Sequence, residues 1–159
     1  MTRRLILFIA CASLLSGCGF ALRGTVTIPA ELSRIAVIGS EPDIVDQMER
    51  ALSSNGVALS TADDKTAAVL NLNESSFERD VRTTDSNGLA TSYNLRYRLG
   101  YDVRTGKGEE LQINQLITQT RFFEYDPLQQ LQSEQEEEFL REEMQEEAIL
   151  QALRRMSRI

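Results

Sequence analysis

The sequence predicts an α+β domain, a two-layer sandwich in which a four-stranded, mostly antiparallel sheet carries two helices on one face in the order β-α-β-β-β-α. Three observations predict it. An apolar stripe at helical spacing runs from Ile44 to Leu52 and stops at Asn55-Gly56. A two-residue alternation of apolar and polar side chains runs from Tyr93 to Val103. A long closing segment, from about Leu128 onward, is built of strong helix formers.

The chain begins with a leader. Arg3-Arg4 form a basic start, Leu5 to Leu15 an apolar stretch, and Leu15-Ser16-Gly17-Cys18 a four-residue box. The apolar stretch, about 11 residues, is too short to span a bilayer, for which a helix needs about 20. Small residues at Ser16 and Gly17 let a peptidase reach the bond, and a cysteine thiol in the first mature position accepts a diacylglycerol before cleavage. Residues 1–17 therefore read as a lipoprotein signal, with Cys18 as the lipidated first residue of the mature protein. Two acyl chains and an acylated amine exceed the single-chain regime of marginal attachment, so the domain is expected to be tethered stably without spanning. Aspartate after the cysteine is the usual inner-membrane retention signal in enteric bacteria. Gly19 stands there instead, and by that analogy the expected location is the outer membrane, lipid-anchored and facing the periplasm.

Residues 18–33, with Gly19, Gly24 and Pro29 and few periodic apolar positions, read as the lipidated N-terminus and an extended lead. A single domain is expected over 34–159. Its first strand is Arg34-Ile35-Ala36-Val37-Ile38. Ser40-Glu41-Pro42-Asp43 starts a helix with Ser40 as cap and Asp43 placed for a capping box. Ile44, Val45, Met48, Ala51 and Leu52 form its apolar face. From Val57 the pattern turns to strands. Ala67 to Asn73 is the second, with a continuation offered through Phe77 to Thr83. The Asn87-Gly88 pair signals a hairpin into the alternating strand. Residues 104–108 make the next turn, and Leu111 to Phe123 the last strand, so that a meander is the simplest connection. In the closing helix eight glutamates (134, 136, 137, 138, 142, 143, 146 and 147) crowd the first half, while Arg154, Arg155 and Arg158 lie at the end, as the helix dipole favours. The acidic run reads as a solvated face.

Composition narrows the function. The formal charge is −7, and loss of Arg3 and Arg4 with the leader makes the mature chain two units more negative, unlike a general binder of nucleic acid phosphates. Of the two cysteines, Cys11 lies in the leader and Cys18 is consumed by the anchor, so neither a disulfide nor a thiol nucleophile is expected. The chain has no histidine, which removes Ser-His-Asp catalysis and the usual zinc sites. No enzyme activity, metal or cofactor is expected.

With Cys18-Gly19-Phe20-Ala21-Leu22-Arg23-Gly24 in view, the chain resembles the LptE family of lipopolysaccharide-assembly lipoproteins, also called rare lipoprotein B. The resemblance continues at Asn55-Gly56-Val57, at Ala90-Thr91-Ser92-Tyr93-Asn94-Leu95 and at Arg121-Phe122-Phe123 before Pro127, and covers essentially the whole mature chain. It implies a non-enzymatic, periplasm-facing lipoprotein that plugs and helps assemble the large LptD β-barrel and binds lipopolysaccharide during delivery to the outer leaflet. One departure stands out. Where members carry basic residues tied to glycolipid binding, before the Asn-Gly turn and after the Phe-Phe-to-Pro stretch, this chain has Ser86 and Ser133. Other cations are available, and Arg82, Arg96, Arg98 and Lys107 are the candidates for lipopolysaccharide. Alternation places Arg96 and Arg98 on one open sheet face, readable either as a phosphate-binding face or as a solvated face whose cations offset local acids. The competing function is an independent periplasmic ligand-binding or inhibitor lipoprotein.

Overall fold

A computed structural model describes residues 26–159 of the chain. The expectations for the leader, for Cys18 and for the motif through Gly24 lie outside the described residues. Strand β1 spans Arg34–Gly39, helix α1 Pro42–Ser54, β2 Ala58–Leu59, β3 Ala68–Thr84, β4 Ala90–Arg104, β5 Glu110–Glu124 and helix α2 Gln130–Met156, with short 3-10 turns at Ala30–Leu32 and Pro127–Gln129. The sheet order is β2-β1-β3-β4-β5. Strand β1 runs parallel to both β2 and β3, whereas β3, β4 and β5 form the expected antiparallel meander.

The sheet has five strands where the sequence predicts four. The extra one, β2, is a two-residue edge segment beside β1, held where Ala58 N–H donates to Ser33 and Ser60 N–H to Ile35. Two residues carry no periodicity, so the hydrophobic pattern is silent there. Helix α1 also starts later than a Ser40 cap would place it. Its cap is Glu41, extended at φ −103 and ψ 101, with no side-chain cap bond and Pro42 in the first turn. A proline drives the residue before it toward extended geometry, which fixes the boundary at Glu41. The stop is as expected, with Gly56 at φ +82.

One core holds the layers together. Ile44, Met48 and Leu52 of α1 and Met144, Ala148, Ile149, Ala152, Leu153 and Met156 of α2 are buried with Ile35, Leu70, Leu95, Tyr97, Leu99, Tyr101, Val103, Ile117 and Phe123 of the sheet. Leu32 is fully buried with them, and Val26 and Ile28 pack partly against the cluster. Burial holds the Tyr101 hydroxyl in its neutral form, its pKa pushed up to about 12. That hydroxyl donates to Gln112, whose amide donates to the Arg155 carbonyl, so a short polar chain ties β4, β5 and α2.

The meander is long. Strand β3 has 17 residues, roughly 55 Å at about 3.3 Å per residue, against a usual strand of about 5–6. Its pairing with β1 ends at Gly39↔Leu72, and beyond a bulge at Asn73 it continues with β4 alone to Thr84. We call the end where Val26 enters proximal; there the Val26 N–H donates to Asn55 at 2.7 Å. The end bearing the β3–β4 turn is distal. Asp102 braces two irregular points, accepting Asn73 Nδ2 at 3.0 Å and the N–H of Asn114 at 2.7 Å. Asn114 is the one non-glycine residue at positive φ among the described residues.

Candidate functional site

Strand alternation sorts the meander's side chains onto two faces. Leu95, Tyr97, Leu99 and Tyr101 face the helices, which leaves Arg96 and Arg98 on the open face. Opposite them β3 presents acids. Arg96 Nη1 lies 2.9 Å from Glu78 and its Nη2 3.4 Å from Asp80, while Arg98 Nε lies 3.2 Å from Glu74. Register explains the first pair, because Glu78 is directly opposite Arg96. These side chains are half exposed, so each pair contributes at most about 1 kcal/mol to stability. A phosphate approaching here has to displace carboxylates already in place.

Arg82 is placed differently. It sits in a bulge of β3, between Val81 and Thr83, and its guanidinium lies 4.4 Å over the ring of Phe122. Among the described residues it has no carboxylate partner. Together with Thr83, Ser92, Phe122, Asp126 and Ser133 it lines an open groove of about 700 Å³ at the distal end. Lys107 is exposed in the β4–β5 turn at the proximal end, a strand length of roughly 40 Å from Ser92. The structure thus brings Arg96 and Arg98 together, sets Arg82 in the neighbouring groove and separates Lys107 from all three.

Ser86 is exposed in the β3–β4 turn, where Asp85 accepts the N–H groups of Asn87 and Leu89 and Gly88 takes φ +80. Those bonds, that to Leu89 first, hold the Asp85 carboxyl below its usual range. Ser133 is buried, its hydroxyl against the backbone of Asp126 at 3.4 and 3.5 Å. It serves to seat the first turns of α2 on the preceding loop. Asp126 starts that loop's 3-10 turn, accepting Gln129 Nε2 and Leu128 N–H, each at 2.9 Å, and the Gln129 bond leads in lowering its pKa. Sequence reading missed Asp126 and Phe122 as groove residues. An Asp-Pro pair is a turn signal and could have marked the first, whereas nothing local marks Phe122.

The LptE lipopolysaccharide-assembly family model matches residues 25–156, most of the chain. The chain belongs to the LptE family. The LPS-assembly lipoprotein LptE of Yersinia pestis is 31% identical over 153 residues, covering 89% of this chain and 69% of the relative. That of Photorhabdus laumondii is 29% identical over 143 residues, covering 89% and 78%. The solution structure of lipoprotein B from Nitrosomonas europaea superposes with a TM-score of 0.73 at 27% identity, covering 87% of this chain and 90% of that one. Its likeness carries the α+β fold. LptE proteins are lipoproteins of lipopolysaccharide assembly and not enzymes, which places this chain with the cell envelope rather than with catalysis. No helix among the described residues is long and apolar enough to cross a membrane.

Proposed function

We propose that the chain is an outer-membrane lipoprotein, anchored through Cys18, that plugs the lumen of the LptD β-barrel, helps that barrel assemble and assists lipopolysaccharide into the outer leaflet. The observation that carries the reading is the open face of the long meander, where Arg96 and Arg98 are met by Glu74, Glu78 and Asp80 in a ladder of polar pairs. A face of this kind suits a water-filled barrel lumen, whose inward side chains are polar. Lipopolysaccharide phosphates meet Arg82, Arg96 and Arg98 along this side, since guanidinium groups form bidentate, charge-assisted bonds to phosphate. Lys107, at the proximal end, is a separate contact.

Purification of the full-length lipoprotein in mild detergent tests the main claim. Recovery of a large β-barrel near one-to-one is expected. Recovery of the lipoprotein alone, or with an unrelated small ligand, would overturn it in favour of an independent periplasmic binding protein. For the glycolipid contact, Arg96→Glu with Arg98→Glu should reduce lipopolysaccharide binding, most clearly at low salt where screening is weak, with barrel association intact. Unchanged binding at low salt would remove these two residues from the contact.

A further inference from the structure

The large apolar side chains that solvent reaches most freely collect at the distal end. Leu128 is 91% exposed, Leu131 70% and Phe139 65%, all on the 3-10 turn before α2 or on the N-terminal half of α2 itself. At roughly 100° per residue, Leu131, Gln135 and Phe139 occupy one outward sector about 80° wide. The buried positions Ser133, Met144 and Ala148 lie on the opposite side, against the sheet. In the N-terminal half of the helix this stripe is no part of the core, although the same sector carries the buried Ile149 and Leu153 further along. A lone exposed leucine needs no explanation, but three such residues within a dozen positions form a patch.

Charge restricts what can cover it. Of the eight glutamates of α2, which run from Glu134 to Glu147, Glu137, Glu138 and Glu147 are paired with Arg79, Arg141 and Arg121. The other five, at 134, 136, 142, 143 and 146, have no ion-pair partner among the described residues; Glu134 borders the stripe on one flank and Glu136 and Glu143 on the other, while Glu142 and Glu146 continue its sector toward α1. An anionic lipid surface or the phosphates of a glycolipid would be repelled here. A second copy would bring the same unpaired carboxylates against themselves. What fits is a protein surface with apolar side chains bordered by lysine or arginine, because burying the stripe then neutralises the carboxylates around it.

Resting on the barrel reading above, the geometry points to the outer face of the N-terminal half of α2 as the surface that docks on a segment of the barrel protein in which lysine or arginine stands beside apolar side chains. The open sheet face is left for the glycolipid. Two interactions of opposite charge preference are thereby assigned to two sides of one small domain.

The test uses the full-length lipoprotein made together with the barrel. A photo-reactive phenylalanine analogue replaces Leu131 in one sample and Ile113, on β5 toward the proximal end, in another. Cross-linked peptides are mapped by mass spectrometry. The expected product at position 131 is a barrel peptide containing lysine or arginine beside apolar residues. In parallel, Leu131→Gln with Phe139→Gln should lower recovery of the barrel at least about tenfold while leaving the lipoprotein's own unfolding temperature unchanged, and Glu142→Lys with Glu146→Lys should act in the same direction. If the barrel co-purifies but position 131 gives no cross-link to it, or one to an acidic segment, the docking surface is overturned and the plug reading stands. If no barrel is recovered with the unsubstituted protein, both fall.

Discussion

The β4–β5 turn contains two glycines, Gly106 and Gly108, whose replacement by alanine should fail for different reasons. A Cβ on Gly106 would sit 2.6 Å from the Ala67 carbonyl oxygen and closer still to that of Lys65. Both neighbours are backbone, so no side chain can rotate away. Reaching ordinary contact with both oxygens needs a shift of roughly 1.2 Å in the turn or in the Lys65–Ala67 segment, and overpacking of that kind costs about 1–3 kcal/mol, here toward the upper end. Gly108 meets nothing within 4 Å, but its φ is +87. Alanine there bears a left-handed penalty of about 1–2 kcal/mol, partly offset by about 0.4–1 kcal/mol from a less flexible unfolded chain. The expected losses are therefore about 3 kcal/mol for Gly106→Ala and about 1 kcal/mol for Gly108→Ala. At roughly 3–4 °C per kcal/mol for a domain of this size, the melting temperatures should fall by about 10 °C and about 3 °C. Thermal unfolding followed by circular dichroism on a soluble form beginning after Cys18 measures both. Equal shifts, or a larger one for Gly108→Ala, would refute the close approach of the turn to Lys65.

Leu99→Ala, which empties a fully buried site under the helices, should cost about 2–5 kcal/mol in a denaturant titration with little change in slope. Asp64, held at about 2 rather than 3.8 by the hydroxyl and N–H of Thr66, with smaller help from Ser60 and Arg34, binds protons less readily when folded. Its contribution is complete above about pH 4 and is lost as pH falls toward 2, so Asp64→Asn should flatten that part of the stability profile. Cys18→Ala should block lipidation and leave an uncleaved or mislocalised precursor, and mass spectrometry of the mature N-terminus decides it. An unmodified mature chain beginning elsewhere would sink the lipoprotein assignment.

The alternation from Tyr93 to Val103 was readable because one face of β4 is buried along its whole length, and the stripe of α1 for the same reason. Where burial stops, legibility stops. The second half of β3, from Glu78 to Thr84, is exposed on both faces and carries Glu78, Asp80 and Arg82 in succession, so its continuation as a strand depends on hydrogen bonds to β4 rather than on an apolar pattern. Arg96 and Arg98 were correctly placed on the open face by alternation alone. Their acidic partners were not foreseen, because which β3 residue faces them depends on the bulge at Asn73. The roles of Gly106 and of Ser133 depend on segments distant in sequence or on a loop conformation, and neither leaves a local trace.

The end of β1 at Gly39 divides the sheet in a way that bears on its motions. Proximal to Leu72, β3 has neighbours on both sides and lies under two helices; from Ser75 to Thr84 it has β4 alone, with the other edge open. Backbone amides of the first part are released to solvent only when the whole domain opens, whereas those of the distal hairpin can exchange by local fraying. The pairing thus predicts a slowly exchanging root and a fast-exchanging tip joined within a single strand. A partner that grips only the tip should slow deuterium uptake from Ser75 to Tyr93 by many-fold and leave the root's rates where they were. The domain can then adapt to whatever surrounds its tip without loosening the core that sets its shape.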